Sequence, residues 1–360
     1  MTKDELLQNI VQDETIEGET LHGLDLREMD LTGVRFEEVT FEGVDLSRAL
    51  ITKTGFRRCH FRACRFDGVR LKKVSWQSIS LLECSFKGAD LSQTSFSDID
   101  FSGSDFSGAD LTKSSFTACK LNQVHFEKSD CTKTSFTQGE MQQTLFVDNP
   151  LLSTLFFKME MKETKFLKSD LVKCVLMDCE LPQQDFASQR LNRVQFNRSN
   201  LSGSDFTNAD ITQSNFFAAD LSSSDFRGAT GHNTIFTEAI LKESDLSTAD
   251  LYQSNFDKAE LTSSDLSGTK LTQSRFSAAN VTDTDFSHAD LSYANFDYAT
   301  LNKVNFESAD LSHTSMHKTA REESPLERAH TQGMRHTDPI LEEAEAWRPP
   351  QSIFKENDHV

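Results

Sequence analysis

From Leu21 to Met316, every residue whose number ends in 1 or 6 is apolar, with the single exception of Gly231. That places 59 apolar centres in 60 consecutive pentads. The residue two before a centre is usually small or compact, as at Ala89, Thr94, Ser104, Ala109, Val124 and Ser204. The residue just before it is often Asp or Asn, as at Asp90, Asp110, Asn200 and Asp250. Other positions are mostly Ser, Thr, Asp, Lys or Gln. An α-helix turns about every 3.6 residues and would scatter a five-residue period around its whole surface. A flat strand would alternate the centres between its two faces. A period of five suits a chain that turns a corner at each pentad and stacks on itself, each turn burying its apolar side against the next.

The pattern resembles the pentapeptide-repeat family, whose repeat reads A(D/N)LXX. Ala249-Asp250-Leu251 and the close variant Ala209-Asp210-Ile211-Thr212 carry the likeness, which spans about residues 19–318. The resemblance implies an all-β, right-handed quadrilateral β-helix with four pentads per coil. It also implies that the centre and the residue two before it point inward. Sixty pentads then make about 15 coils, a rod roughly 70 Å long at the strand spacing. On that plan residues 20 apart stack. One column runs from Phe66 through Phe86, Phe106 and Phe126 to Phe226, and the opposite one from Phe36 through Phe56, Trp76 and Phe96 to Phe156. The other two columns are mostly Leu. Of 29 phenylalanines, 26 sit at centres. The stretch 139–165 fits least well, with Asn149-Pro150 in place of the usual pair, and a bend or bulge is expected at Pro150. Gly228 and Gly231 mark a second expected irregularity.

Open solenoids need covered ends. Residues 1–18 are expected to form an N-terminal helical cap. Thr2 and Glu5 make a capping-box pattern ahead of an apolar face of Leu6, Leu7, Ile10 and Val11. Residues 319–360 are expected to be a flexible tail, polar over 318–337. It carries one short helix opening at Asp338-Pro339 and closing at Pro349-Pro350.

Composition narrows the function. The 360 residues carry a formal charge of −19, and no apolar run is long enough to span a membrane. The acidic N-terminus lacks a signal core, so a cytoplasmic location is expected. All seven cysteines fall in inward register and are expected to be small, reduced core residues. No phosphate-binding loop, dinucleotide fingerprint or metal-ligand spacing occurs, so no cofactor, metal, small-molecule substrate or catalytic residue is expected. The abundant Ser and Asp are placed by turn chemistry.

Function is then expected on outward positions. Asp185, Asp205, Asp225, Asp245, Asp265 and Asp285 recur every 20 residues and should form a ladder. Residues 200–316 hold 17 acidic and 6 basic side chains, a net of −11. Such a field repels nucleic acid and favours basic partners. Near the other end Arg57, Arg58, Arg62, Arg65, Arg70, Lys72 and Lys73 face only Asp67 over 57–73. Direct nucleic-acid binding is not expected there, because no aromatic side chains stand ready to stack on bases. In the middle, Leu145, Val147, Leu152, Leu155, Phe157, Leu167, Val172, Val175 and Met177 make outward positions apolar, which marks a contact surface. Ile340, Leu341 and Trp347 form the apolar face of the tail helix.

These readings predict a non-enzymatic protein–protein interaction scaffold, binding another protein or a second copy of itself. The opening stretch through Phe36 is similar to the openings of pentapeptide-repeat proteins that accompany type VI secretion components, which implies a bacterial secretion accessory or adaptor. The alternative is a DNA mimic that binds a type II topoisomerase, as some acidic bacterial relatives bind gyrase.

Overall fold

The structure, a computed structural model, describes residues 1–71, 75–77 and 79–347. Lys72, Lys73 and the Pro349-Pro350 helix stop lie outside the described residues, as does the ring of Trp76.

The chain winds into a parallel β-solenoid in which paired residues lie 20 positions apart. Ser115–Thr117 pairs with Ser135–Thr137, which pairs with Leu155–Phe157, which pairs with Val175–Met177. Single-residue bridges carry the same register elsewhere, as at Asp205↔Asp225 and Asp225↔Asp245. Twenty residues per turn and five per corner make a four-sided coil, and residues 19–318 complete about fifteen turns.

Many corners are turns closed by a defined hydrogen bond. Where the centre is not in a three-residue strand, the N–H three residues after it commonly donates to its carbonyl, as Ala109 does to Phe106 at 2.9 Å. The second turn residue is left-handed, with φ near +57° at Gln93 and Asp98 alike. Asp or Asn just before a centre accepts from the N–H two residues on, tying the corner down. The small inward residue has a second task. Its hydroxyl donates to the carbonyl of the centre 23 residues earlier, as Thr94 does to Leu71 at 2.6 Å and Ser104 to Leu81 at 2.8 Å. Inward cysteines occupy the same place; the Cys174 thiol donates to Leu151 at 2.8 Å.

The core is two aromatic columns that meet. Within a column the rings stack, as for Phe126 and Phe146 at 4.8 Å and 6°. Between columns they meet edge to face, as for Phe216 and Phe226 at 6.0 Å and 88°. Both geometries suit ring quadrupoles, so the centre of the rod fills with apolar rings.

The two expected irregularities are absent. Pro150 has no N–H for the Ser129 carbonyl, but the Asn149 side-chain amide donates there instead, at 2.8 Å, and the coil runs on without a bulge. At Gly231 the stacked Ile211 and Leu251 close over the missing side chain. A Cβ there would meet their side chains at 2.9 and 2.7 Å.

Both ends differ from expectation in extent. Helix α1 (Lys3–Val11) carries the capping box of Thr2 and Glu5, yet only Leu6 is buried and Val11 is exposed. The ladder already begins at Ile16, which pairs with Phe36. Residues 319–337, expected to be flexible, instead form a further turn. Ala320–Glu322 pairs with Thr300–Asn302, and His330 and Arg335 bridge Asp310 and Ser315. The apolar pattern stops one turn before the backbone does, because no later coil covers the centres of the last turn. Arg321 and Thr331 can therefore stand at centre positions. Helix α2 (Pro339–Ala346) follows, capped by Asp338.

Candidate functional site

The aspartate ladder forms as spaced, but its carboxylates are occupied. Asp185, Asp205, Asp225, Asp245, Asp265 and Asp285 each accept the backbone N–H two residues on, at 2.7–3.1 Å. Arg227 also ion-pairs with Asp225 and Asp245 at 2.5 and 3.6 Å. The column is corner chemistry first, and at Asp225 both carboxylate oxygens are taken, by Arg227 and the turn N–H. The arginine cluster is likewise knitted into the rod. Arg58 pairs with Glu37 at 2.7 Å, Arg62 with Glu83 at 3.4 Å and Arg65 with Asp67 at 3.0 Å.

The apolar belt does not form one patch. Leu145, Val147 and Leu167 flank the Phe146/Phe166 column, where Leu145–Val147 pairs with Lys165–Leu167. Leu155 and Phe157 pair with Val175 and Met177 half a turn away, on the opposite side. Leu152 and Val172 lie between them. Leu152 and Leu167 are exposed, and the others are half-buried.

One feature of this region was not foreseen. Gln184 and Gln189 occupy inward positions where small residues stand elsewhere. Gln189 donates its side-chain amide to the Phe166 carbonyl at 3.1 Å, the acceptor a Ser or Thr hydroxyl would take. The longer side chain holds the two turns apart. Phe166 and Phe186 are 6.4 Å apart, against 5.1 Å for Phe146–Phe166 and 5.2 Å for Phe186–Phe206. Among the described residues no bridge joins Lys165 to Asp185 or Asp170 to Arg190, while the far side stays bonded, with Leu176 donating to Gln195 at 2.7 Å. The opening forms a cleft of about 790 Å³ lined by Leu145, Lys162, Lys165, Leu167 and Pro182. Two glutamines in neighbouring columns of mostly small residues are the sequence signal for it.

Helix α2 is fastened at Glu345 and at its N-cap, Asp338. Glu345 accepts from Lys318 at 2.8 Å and from the Tyr298 hydroxyl, and lies 3.4 Å from the buried His317. The Asp338 N–H donates to His317 Nδ1 at 3.1 Å, so the ring proton sits on Nε2, facing Glu345. Lys318 holds the Glu345 carboxyl down to about 2, and Glu345 pushes the Tyr298 phenol up to about 12. Ile340 and Trp347 remain 80% and 68% exposed, so the helix is attached by its polar side with its apolar side outward.

All seven cysteines are free and buried. Burial pushes the Cys131 and Cys179 thiols up to about 12. Among the described residues no cluster of His, Cys, Asp or Glu is arranged to hold a metal, and no helix is long and apolar enough to cross a membrane.

Comparison with known proteins is consistent in its direction. A family model described as a pentapeptide repeat region matches residues 79–156 and 239–316. A second, described as pentapeptide repeats (8 copies), matches 20–48, 185–216 and 214–253. A search of curated proteins finds no match. Among solved structures, HetL of the cyanobacterium Nostoc, a pentapeptide repeat protein involved in heterocyst differentiation regulation, is similar at 20% identity. It covers 93% of this chain and 96% of its own, with a TM-score of 0.20. A pentapeptide repeat protein of the Arabidopsis thaliana thylakoid lumen is 28% identical over 27% of this chain and 63% of its own, with a TM-score of 0.23. The plasmid-mediated fluoroquinolone resistance protein QnrB1 is 15% identical over 75% of this chain and 96% of its own, with a TM-score of 0.20.

Proposed function

The chain belongs to the pentapeptide-repeat family, and we propose that it works as a non-enzymatic scaffold that binds another protein through its flanks and its C-terminal helix. The observation that carries this reading is α2, held at its polar side by Glu345 and at its N-cap by Asp338 while Ile340 and Trp347 face solvent. An apolar helix face left open beside a rigid rod is a helix-in-groove recognition element. The half-buried pairs Leu155/Val175 and Phe157/Met177 supply a second apolar surface. Seven buried free thiols suit a reducing compartment, and we place the protein in the cytoplasm.

For the partner class we favour a secretion component, on the likeness of the opening segment to type VI-associated relatives. A type II topoisomerase is the second reading, and the net of −11 over residues 200–316 supports it. The turn bonds and Arg227 pairing of the ladder weigh against it, because they fix five of those 17 acidic side chains in corner geometry. Affinity capture with the full chain, with residues 338–360 deleted, and with Leu155, Phe157 and Val175 changed to Ser decides among them. Secretion components lost on either change support the reading. Gyrase captured equally by all three favours mimicry. Identical eluates free of both remove the helix and belt as contact surfaces.

A further inference from the structure

We propose that the corner of the rod carrying Lys113, Lys133, Lys173 and Arg193 binds an acidic peptide segment of another protein, one with apolar residues at its middle. The inference rests on the reading of the rod as a binding scaffold and names the chemistry of its partner. Left-handed turn residues stand at the four corners, and those 20 apart stack into columns. Three of these columns carry acids, with Glu28 and Asp148 in one, Asp98 and Asp178 in the next and Glu83 and Glu163 in the third. Basic residues in them answer an acid one turn away. Arg48 lies 3.6 Å from Glu28, Arg198 2.6 Å from Asp178 and Lys258 3.3 Å from Glu238. The fourth column has no carboxylate from residue 33 to residue 333, in a chain with 56 acidic and 37 basic side chains. On consecutive turns it reads Lys113, Lys133, Ser153, Lys173 and Arg193, all exposed. Like charges stacked one turn apart repel. Among the described residues the three lysines make no ion pair or hydrogen bond, and the Arg193 side chain donates to Gln213 at 2.8 Å.

The charge is local and its sign is opposite to that of the whole. The two sides meeting at this corner, residues 110–118, 130–138, 150–158, 170–178 and 190–198, carry seven basic and four acidic residues, a net of +3 in a chain of −19. The four acids stay charged, but none pairs with a lysine of the row. Asp110, Asp130 and Asp170 stand two residues before the turn and accept its N–H at 2.9, 2.9 and 3.1 Å, and Asp178 takes Arg198 at the far edge of the next side. At the middle of the row, where Ser153 interrupts the cations, Leu152 and Leu155 flank it, with Val172 and Val175 one turn on. Leu152 is exposed and the other three are half-buried. The row therefore offers two cations, an apolar step and two cations over four turns, about 19 Å at the strand spacing. An extended chain of about six residues covers that length. A polypeptide supplies carboxylates at both ends of such a segment and an apolar side chain between them. A sugar–phosphate backbone supplies charge throughout and would lay it against the leucines, and no aromatic side chain stands beside the row to stack on bases.

The test uses the full chain and a labelled peptide of sequence DEELLEED, read by fluorescence anisotropy. Binding should appear at low ionic strength and weaken as salt rises. Lys133→Glu and Lys173→Glu should each weaken it about tenfold, and the chain carrying both should bind the peptide KKKLLKKK in preference to DEELLEED. Glutamate fits the backbone there, since Glu83 and Glu243 hold the same left-handed turn position at φ +56°. Lys303→Glu makes the same charge change on another corner and should leave binding as it was. Changing Leu152 and Leu155 to Ser, or using the peptide DEESSEED, should weaken binding about tenfold. A chain that does not bind DEELLEED overturns the inference. So does binding that is indifferent to Lys133→Glu and Lys173→Glu. A single-stranded oligonucleotide held more tightly than the peptide by the same lysines also overturns it and assigns the row to nucleic acid. If a captured partner is lost on deleting α2 but kept when both lysines are reversed, the scaffold reading stands and this inference alone falls.

Discussion

Phe206 and Phe226 lie one turn apart with ring centroids 4.5 Å apart and planes tilted by 2°. Both are fully buried, and Phe206 also meets Phe216 edge-on at 5.7 Å. The contact repeats along the rod, so each ring is held from above, below and the side.

Phe206→Asp should therefore collapse several turns. It removes a ring worth about 3–5 kcal/mol and leaves a carboxylate with no partner in a closed column. Asp225→Ala, one residue from the neighbouring centre, should cost about 1 kcal/mol, since it loses one turn bond and an exposed ion pair. Urea denaturation of both variants checks the contrast; equal losses would contradict the column.

Asn149 answers for the amide that Pro150 lacks. Asn149→Ala should cost about 1–3 kcal/mol by leaving the Ser129 carbonyl buried and unpaired. Adding Pro150→Ala restores an N–H at that place and should recover much of the loss. A double-mutant cycle in which the two effects simply add would show that the substitution is not compensatory.

Most of this fold was legible because the signal repeats. Sixty centres at one spacing leave no second way to bury Phe206 or Leu201. The departures were less legible because they depend on pairing across turns. Pro150 looks disruptive along the chain, and only the stacked geometry brings the Asn149 amide to Ser129. The last turn was missed because Arg321 and Thr331 carry no apolar signal, although their backbone follows the register of the turn beneath. The nine apolar residues of the belt are half-buried or exposed, and because five residues of sequence are a quarter turn of rod, Leu145 and Leu155 face away from each other.

The ladder break should be visible in hydrogen exchange. The amides of Phe166, Lys168 and Leu171 lack the carbonyl acceptors their counterparts have elsewhere. They should exchange faster than those of Met161 and Leu176, which donate to Glu180 and Gln195 at 2.8 and 2.7 Å. Gln189→Ser shortens the reach to the Phe166 carbonyl and should slow exchange at Phe166 and Leu171. Unchanged rates in that variant would mean that Gln189 does not hold the turns apart.

The attachment of α2 should depend on pH at both extremes. The Glu345 pKa falls from 4.5 to about 2 on folding, so its stabilisation is present above pH 4.5 and is lost as pH drops toward 2. The Tyr298 pKa rises from 10.0 to about 12, so its stabilisation is present below pH 10 and is lost as pH climbs toward 12. Glu345→Gln should flatten both limbs. The exchange rate of the Asp338 and Trp347 amides, followed against pH, reads the release; limbs that persist in Glu345→Gln would assign them to other groups.

The gap between the turns at 161–170 and 181–190 also changes how the rod answers to load. Elsewhere a stretching force along the axis is shared by hydrogen bonds on all four sides. At this step the side at Phe166 carries none of those bonds between turns and the side at Leu171 only the one from Lys173 to Asn192 at 3.2 Å, while the side at Leu176 and Gln195 stays closed. Tension applied at the ends concentrates on the closed side, and the rod opens there like a notched beam, bending away from the cleft before the fully bonded turns beside it begin to part.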